Sequence, residues 1–238
     1  KPFGPAFCAT PQQGSQALKL IKQRLLKHPH LSLAVDLEGP LGGRLAHIDL
    51  LQLAVDPGNT EEQPLIFVFD MDRYGAEFLS LKEPLRAILE NPEVTKVYHC
   101  MTGDANALYV EYDIQVKGSF DTGIADCLLR GSGFNRMRGL GTVIQEFLDV
   151  PLTLKDSFKH IPRMFSWRPL PYNYFLYAYE DVAYCNQLYL VMRTALAARN
   201  LLELSLAHSA QRAPPLSLAP NDSRYQPPSD IAITLRDQ

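Results

Sequence analysis

The spacing of apolar residues along the chain changes period several times, and each change marks an element. In residues 15–27 (SQALKLIKQRLLK), Ala17, Leu18, Ile21, Leu25 and Leu26 recur at helical spacing behind Ser15 as a cap, which predicts a first helix. Three aliphatic and β-branched runs follow: LSLAVDL (31–37), HIDLLQLAV (47–55) and PLIFVFDM (64–71). Gly- and Pro-containing turns separate them, so they read as consecutive strands. Leu81 to Asn91 then has helical spacing and stops before Pro92, TKVYHC (95–100) reads as a strand, and GDANALYVEY (103–112) as a helix. SFDTGIADCLLRG gives a short extended segment running into a helix, and LGTVIQEFLDV (140–150) gives another helix. Leu170 to Leu202 is a long, mostly helical stretch with Pro171 in its first turn. This mixed order implies an α/β domain.

Beyond about residue 208 the periodicity stops. Pro214, Pro215, Pro220, Pro227 and Pro228 fall among few large apolar side chains, the composition of a linker or loosely attached tail. The expected organisation is one domain over residues 1–208 and a Pro-rich tail over 209–238, through which a protein partner or a further domain can join. At 238 residues, 46% hydrophobic and 21% charged, the chain has ordinary globular composition and suffices for one well-cored domain. No apolar run approaches the roughly 20 residues of a membrane-spanning helix, so no membrane partner is expected. Cys8, Cys100, Cys127 and Cys185 form no Cys-x-x-Cys pair, and three lie in stretches that read as buried. An intracellular, reducing compartment without a zinc site is the expectation.

Net charge of −3 and a pI near 6.1 give no global signature for a polyanion partner. The charge is uneven, however. From Arg130 to Arg168, Arg130, Arg136, Arg138, Lys155, Lys159, Arg163 and Arg168 face only Glu146, Asp149 and Asp156. That local excess suits one wall of a nucleic-acid groove, or an ordinary solvated surface.

Three features carry candidate chemistry. AVDLEG places Asp36 and Glu38 two residues apart inside an otherwise buried strand. Side chains alternate along a strand, so both carboxylates leave the same face and converge. Burying two like charges uncompensated costs on the order of several kcal/mol. A cation is the natural partner, and oxygen-only donors select Mg²⁺ or Mn²⁺. A strand end emerging into solvent at Gly39 is the plainer alternative. In KVYHCMTGDANALY, Asp104 opens a helix just after a strand, where capping is the simplest role. In YFLYAYEDVAYCNQLY, Tyr177 and Asp181 lie one helical turn apart on one face. Tyr109 and Asp113 repeat that spacing, and core packing explains Tyr172, Tyr174, Tyr179, Tyr184 and Tyr189 equally well.

Taken in order, Asp-x-Glu in the first long strand, an Asp at a later helix start and Tyr-x-x-x-Asp in a late helix resemble the DEDD exonuclease superfamily. The match is to its tyrosine-bearing subgroup, which includes ribonuclease D, the Werner exonuclease domain and the proofreading domain of family A polymerases. FDTGIAD (120–126) resembles the family segment after the second motif. LGTVIQEFLDVPLTLKDSF and SWRPL (166–170) resemble the ribonuclease D stretch leading to the third. EGPLGGRLAHIDLLQLAV is similar to the Egalitarian-like branch. The resemblance covers about residues 15–200. It implies a ribonuclease H-like fold, a five-stranded mixed sheet flanked by helices with the acidic site at one end.

It also implies two divalent cations, Mg²⁺ or Mn²⁺. Asp36, Glu38 and Asp181 hold the tighter one, Asp36 also touches the second, and Asp104 supports that second site, partly through water. Tyr177 orients the attacking water. His99 stands where the second motif often carries a histidine, although MTGD lacks the Asn common there. His160 receives no catalytic role, because the histidine-bearing subgroup places its residue five before the last Asp, at Leu176 here.

The implied function is hydrolysis of a single-stranded or frayed 3′ end to nucleoside monophosphates, with RNA preferred over DNA as substrate. Lys155, Arg163 and Arg168 are candidates for upstream phosphates. Trp167 is a candidate base-stacking platform, a contact worth about 1–3 kcal/mol where it occurs, or a packing anchor. A rival reading of another class is a nuclease-like scaffold that binds RNA or a protein partner with little or no catalysis, as in Egalitarian-like members that have lost acidic ligands. This chain keeps all four acids and the tyrosine.

Overall fold

The computed structural model describes residues 6–56, 62–152, 154 and 163–213. Its spine is a mixed sheet in the order β1-β4-β3-β2-β5-β6. The strands are β1 (Ala6–Cys8), β2 (Leu33–Glu38), β3 (Leu50–Val55), β4 (Leu65–Asp70), β5 (Lys96–Tyr98) and β6 (Ser119–Asp121). β2, β3 and β4 form an antiparallel meander. β5 and β6 continue parallel from β2, and β1 lies parallel to β4 at the far edge. The sheet therefore has six strands where five were expected. The additional strand is β1, whose three residues are too few to display an alternation. Its hold is external: Tyr74 donates its hydroxyl to the Cys8 carbonyl at 2.6 Å.

The helices are α1 (Pro11–Lys27), α2 (Met71–Tyr74), α3 (Leu79–Leu89), α4 (Thr102–Tyr112), α5 (Thr122–Arg130), α6 (Leu140–Leu148), α7 (Tyr172–Ala183), α8 (Cys185–Ala198) and α9 (Leu202–Arg212). Strand alternation sorts them into two layers. Leu33, Val35 and Leu37 of β2 point into a large core with α1, α3 and α4. Ala34 points the other way, into a second core with α5, α6 and α8. On that same side α7 closes over Leu50 of β3 and Val68 of β4. Asp36 and Glu38 share the side of Ala34 by the same alternation. The mixed α/β expectation holds, with a sheet between helical layers.

Element ends follow local chemistry. α1 begins at Pro11, ahead of the expected Ser15, because Thr10 and Gln13 form a reciprocal capping box with Pro at the first helical position. The long helical stretch from residue 170 is divided at Tyr184 into α7 and α8. α9 continues through Arg212, with Ser205, His208 and Ser209 buried. Ser209 accepts the Asp121 backbone N–H at 2.9 Å, so the packed chain runs past residue 208. From residue 214 the Pro-rich tail lies outside the described residues. No described helix is long and apolar enough to cross a membrane.

Two buried ions brace this frame. Asp70 ends β4 fully buried, and Arg168 donates to both its oxygens at 2.6–2.9 Å. The same guanidinium reaches the carbonyls of Phe165, Trp167 and Asp49, which ties the segment before α7 to the sheet. Lys96 is fully buried on β5 and donates to the Asn91 carbonyl. Burial pulls its ammonium down to about 8.

Removing Arg168 strands a buried carboxylate, so Arg168→Ala is expected to cost about 3–5 kcal/mol in urea unfolding. A loss below about 1 kcal/mol would show a solvent-screened pair instead. Lys96 gives a pH-dependent counterpart. Its folded pKa lies below the unfolded 10.5, so between about 8 and 10.5 the unfolded chain binds more protons and stability rises with pH. Lys96→Met is thus expected to gain on the order of 3 kcal/mol at pH 7. Unfolding the two proteins side by side checks the sign, because their difference narrows as pH rises from about 8 to 10.5.

Candidate active site

The acidic pair owes its placement to the end of β2. Gly39 has φ +144°, and a Cβ there would stand 2.4 Å from the His47 carbonyl oxygen, so only glycine lets the returning chain close on the strand. Asp49 then donates its N–H to the Glu38 carbonyl at 2.8 Å. From above, α7 packs across β2, β3 and β4 and brings down Asp181, 2% exposed. One carboxylate oxygen each from Asp36, Glu38 and Asp181 lie within 4.8 Å of one another.

Asp104 arrives by a separate route. The Asp121 carboxylate accepts N–H groups from Cys100 at 2.9 Å, Met101 at 3.1 Å and Gly123 at 2.8 Å. One side chain thereby caps α5 and fixes the turn that launches α4, in which Cys100 sits at φ +63°. Asp104 follows in the first turn of α4, and its Oδ1 accepts the Leu37 N–H at 3.0 Å. The β2–β5 ladder runs only to Ala34 and Val97, so Leu37 lies beyond it and turns its N–H to Asp104. This carboxylate therefore touches β2 between Asp36 and Glu38, a role beyond capping. Burial pushes its pKa up to about 8, with the Asp121 and Asp181 charges adding to the shift and backbone N–H groups opposing it. A nearby dication reverses such a shift.

The remaining candidates divide. Tyr177 stands one turn before Asp181, half-buried, with its ring 5.6 Å from that of Phe165. Trp167 is 54% exposed, its ring 5.9 Å from Tyr174. Arg163 is exposed. Lys155 and His160 lie outside the described residues. Arg168, a candidate for phosphate, is instead committed to Asp70 and three carbonyls. Arg130 and Arg138 both pair with fully buried Asp126, so much of the basic stretch is consumed in the fold. His99 donates Nε2–H to the Arg138 carbonyl and meets Thr122 Oγ1 through Nδ1, both at 2.8 Å, which makes it a structural link.

Sequence reasoning missed several residues around the acids. Tyr98 is fully buried, and its phenol is pushed well above the ordinary value by burial and by the Asp104 and Asp36 charges. Asp121 was visible only as part of FDT. Gln52 is fully buried opposite Asp36, and its one signal was a polar letter inside LLQLAV. Beyond the strand end, His47 meets Asp49, Asp72 and Glu111 at 3.6, 3.4 and 3.0 Å, and of these His47, Asp49 and Asp72 form a second group able to gather around a cation.

The donors of the first group are all carboxylate oxygens, one of them nearly sealed from water. That chemistry suits a hard divalent cation of the Mg²⁺ or Mn²⁺ type.

Known proteins resemble the chain in sequence and in fold. Ribonuclease D of Jannaschia sp. (strain CCS1) is 30% identical over 152 residues, which cover 64% of this chain and 36% of that protein. Escherichia coli RNase D superposes with a TM-score of 0.68 at 19% identity, over 89% of this chain and 51% of that one. Trypanosoma brucei RNase D in complex with RNA U12 gives a TM-score of 0.65 at 17% identity, over 90% and 72% respectively. A family model for 3′-5′ exonucleases matches residues 10–197. With that match running from α1 to the end of α8, the chain belongs to the 3′-5′ exonuclease family.

Proposed function

We propose that this chain is a metal-dependent exonuclease that removes nucleoside monophosphates from the 3′ end of single-stranded RNA, with DNA the second choice of substrate. One observation carries the reading: Asp36, Glu38 and Asp181 converge within 4.8 Å beside the buried Asp104. Asp36, Glu38 and Asp181 would hold one cation, and Asp36 with Asp104 a second. Two such ions, when bound, acidify a water and neutralise the charge that builds on phosphorus and on the departing 3′-oxygen.

The protein's own work is positioning. The strand end sealed at Gly39 fixes Asp36 and Glu38, α7 fixes Asp181, and the Asp121 turn fixes Asp104. The Tyr177 hydroxyl orients the attacking water by a hydrogen bond. Exposed Trp167 and Arg163, in the segment anchored by Arg168, offer a stacking face and a cation to the incoming strand. The preference for RNA is supported by the likeness to a ribonuclease D solved with RNA U12. The chain spans 36% of its Jannaschia relative, so the activity proposed is that of this domain.

The test is electrophoresis of 5′-labelled single-stranded RNA and DNA incubated with Mn²⁺ or Mg²⁺. A ladder shortening from the 3′ end, dependent on metal, is expected. Binding without cleavage of either polymer would favour a nuclease-like scaffold. Asp36→Asn is expected to reduce cleavage to background without unfolding the domain, and retained turnover would sink the two-cation assignment. Tyr177→Phe should slow turnover by about 10²-fold or more while leaving Mn²⁺ binding intact. Mn²⁺ itself should raise the melting temperature of the wild type, since saturation at about a hundred times Kd adds roughly 2.7 kcal/mol to the native state. Asp36→Asn should lose most of that rise.

A further inference from the structure

Gln52 sits in the middle of β3 with 0% exposure, and among the described residues neither its amide nitrogen nor its amide oxygen has a hydrogen-bond partner. Its backbone lies directly opposite Asp36 on one side and Val68 on the other. Residues paired across a sheet send their side chains to the same face, so the amide stands beside the Asp36 carboxylate, under α7. Along β3 and directly across on β4 its neighbours on this face are Leu50, Ala54 and Val68, all apolar and buried, while Ala34, Ile66, Glu38 and Asp70 stand at the diagonal positions and Asp70 is taken up by Arg168. A leucine or methionine there would fill the same space without sealing two polar atoms away from water. For the fold alone the amide is therefore a liability.

That liability ends where the acidic site begins. A carboxylate that ligates a cation keeps further lone pairs that accept N–H groups, and such donors set the orientation in which it meets the metal. On the assignment of Asp36, Glu38 and Asp181 made above, we propose that Gln52 is a positioning residue of the metal site. Its side-chain N–H donates to the Asp36 carboxylate and fixes that ligand's orientation when the cations load. Gln52 touches neither substrate nor cation, and it acts through Asp36.

The proposal makes stability and metal binding move in opposite directions, which a packing role would not do. The experiment compares wild type with Gln52→Met and Gln52→Leu, measuring melting temperature in EDTA, Mn²⁺ affinity by electron paramagnetic resonance, and kcat and KM on a labelled oligonucleotide. Both variants are expected to melt at least about 2 °C higher without metal. They should bind Mn²⁺ about 10- to 100-fold more weakly. Turnover should fall chiefly in kcat, with KM little changed. Wild-type Mn²⁺ affinity in either variant would overturn the role of Gln52 and leave the acidic site standing. Weaker binding in both together with a lower melting temperature in EDTA would assign the loss to damaged packing and also overturn it. Absence of Mn²⁺ binding by the wild type would remove the metal site itself, and the proposal with it.

Discussion

Like charge gathered at the end of a buried sheet is the constraint on which the rest of this structure depends. Asp36 and Glu38 are brought together by the alternation of a single strand, and α7 lowers Asp181 onto them. Apolar side chains could occupy these positions on β2 and α7 more cheaply, because gathered carboxylates repel and lose water at once. The raised pKa of Asp104 expresses the same tension in a single group: sealed from solvent and facing other acids, it favours its proton. A dication is the physical agent that removes both penalties together, and oxygen ligands alone suit a hard one.

The rest of the frame handles its buried acids differently. Asp70 meets the Arg168 fork, Asp126 meets Arg130 and Arg138, and Asp121 takes three backbone N–H groups. Each of these carboxylates is matched within the chain, and each match does structural work. Arg168 ties the segment before α7 to the sheet, while Asp121 sets the direction of α4. The groups that position the site are thus satisfied by the protein itself, whereas Asp104, within the site, has its carboxyl raised despite the Leu37 N–H. This division separates the scaffold from the chemistry it carries.

Much of this was legible in the chain because it rests on local periodicity. The β2–β4 meander and helices α3, α4, α6 and α7 lie where apolar spacing placed them, within a few residues. The candidate residues came from motif order, and three of the four acids stand close enough to share an ion. What escaped was fixed by tertiary contact. β1 exists because it lies parallel to β4 and its carbonyl accepts from Tyr74, and three residues carry no period of their own. Arg168 looked like a phosphate ligand because a basic residue near an expected active site invites that reading. Its partner Asp70 is distant in sequence, and no local pattern announces the pair. Gln52 was hidden for the converse reason: one polar letter inside LLQLAV gives no reason to look at it until β3 is paired with β2.

The site's demands also explain how the apolar residues are arranged around it. Sheet positions on the acidic side include small residues, Ala34 and Ala54, and α8 approaches closely enough for Asn186 to donate to the Ala54 carbonyl at 2.9 Å. The other face is filled by Leu, Val and Phe from β2, β3 and β4 against α1, α3 and α4. A domain that holds a raised carboxyl, a buried ammonium and an unsatisfied amide next to one sheet needs a large apolar remainder to offset them. The fuller core lies on the face away from Asp36, Glu38 and Asp181, and of the four acids only Asp104, from α4, reaches the site from that side. Along β2 itself core and site residues therefore alternate, and residues one apart on that strand serve different ends.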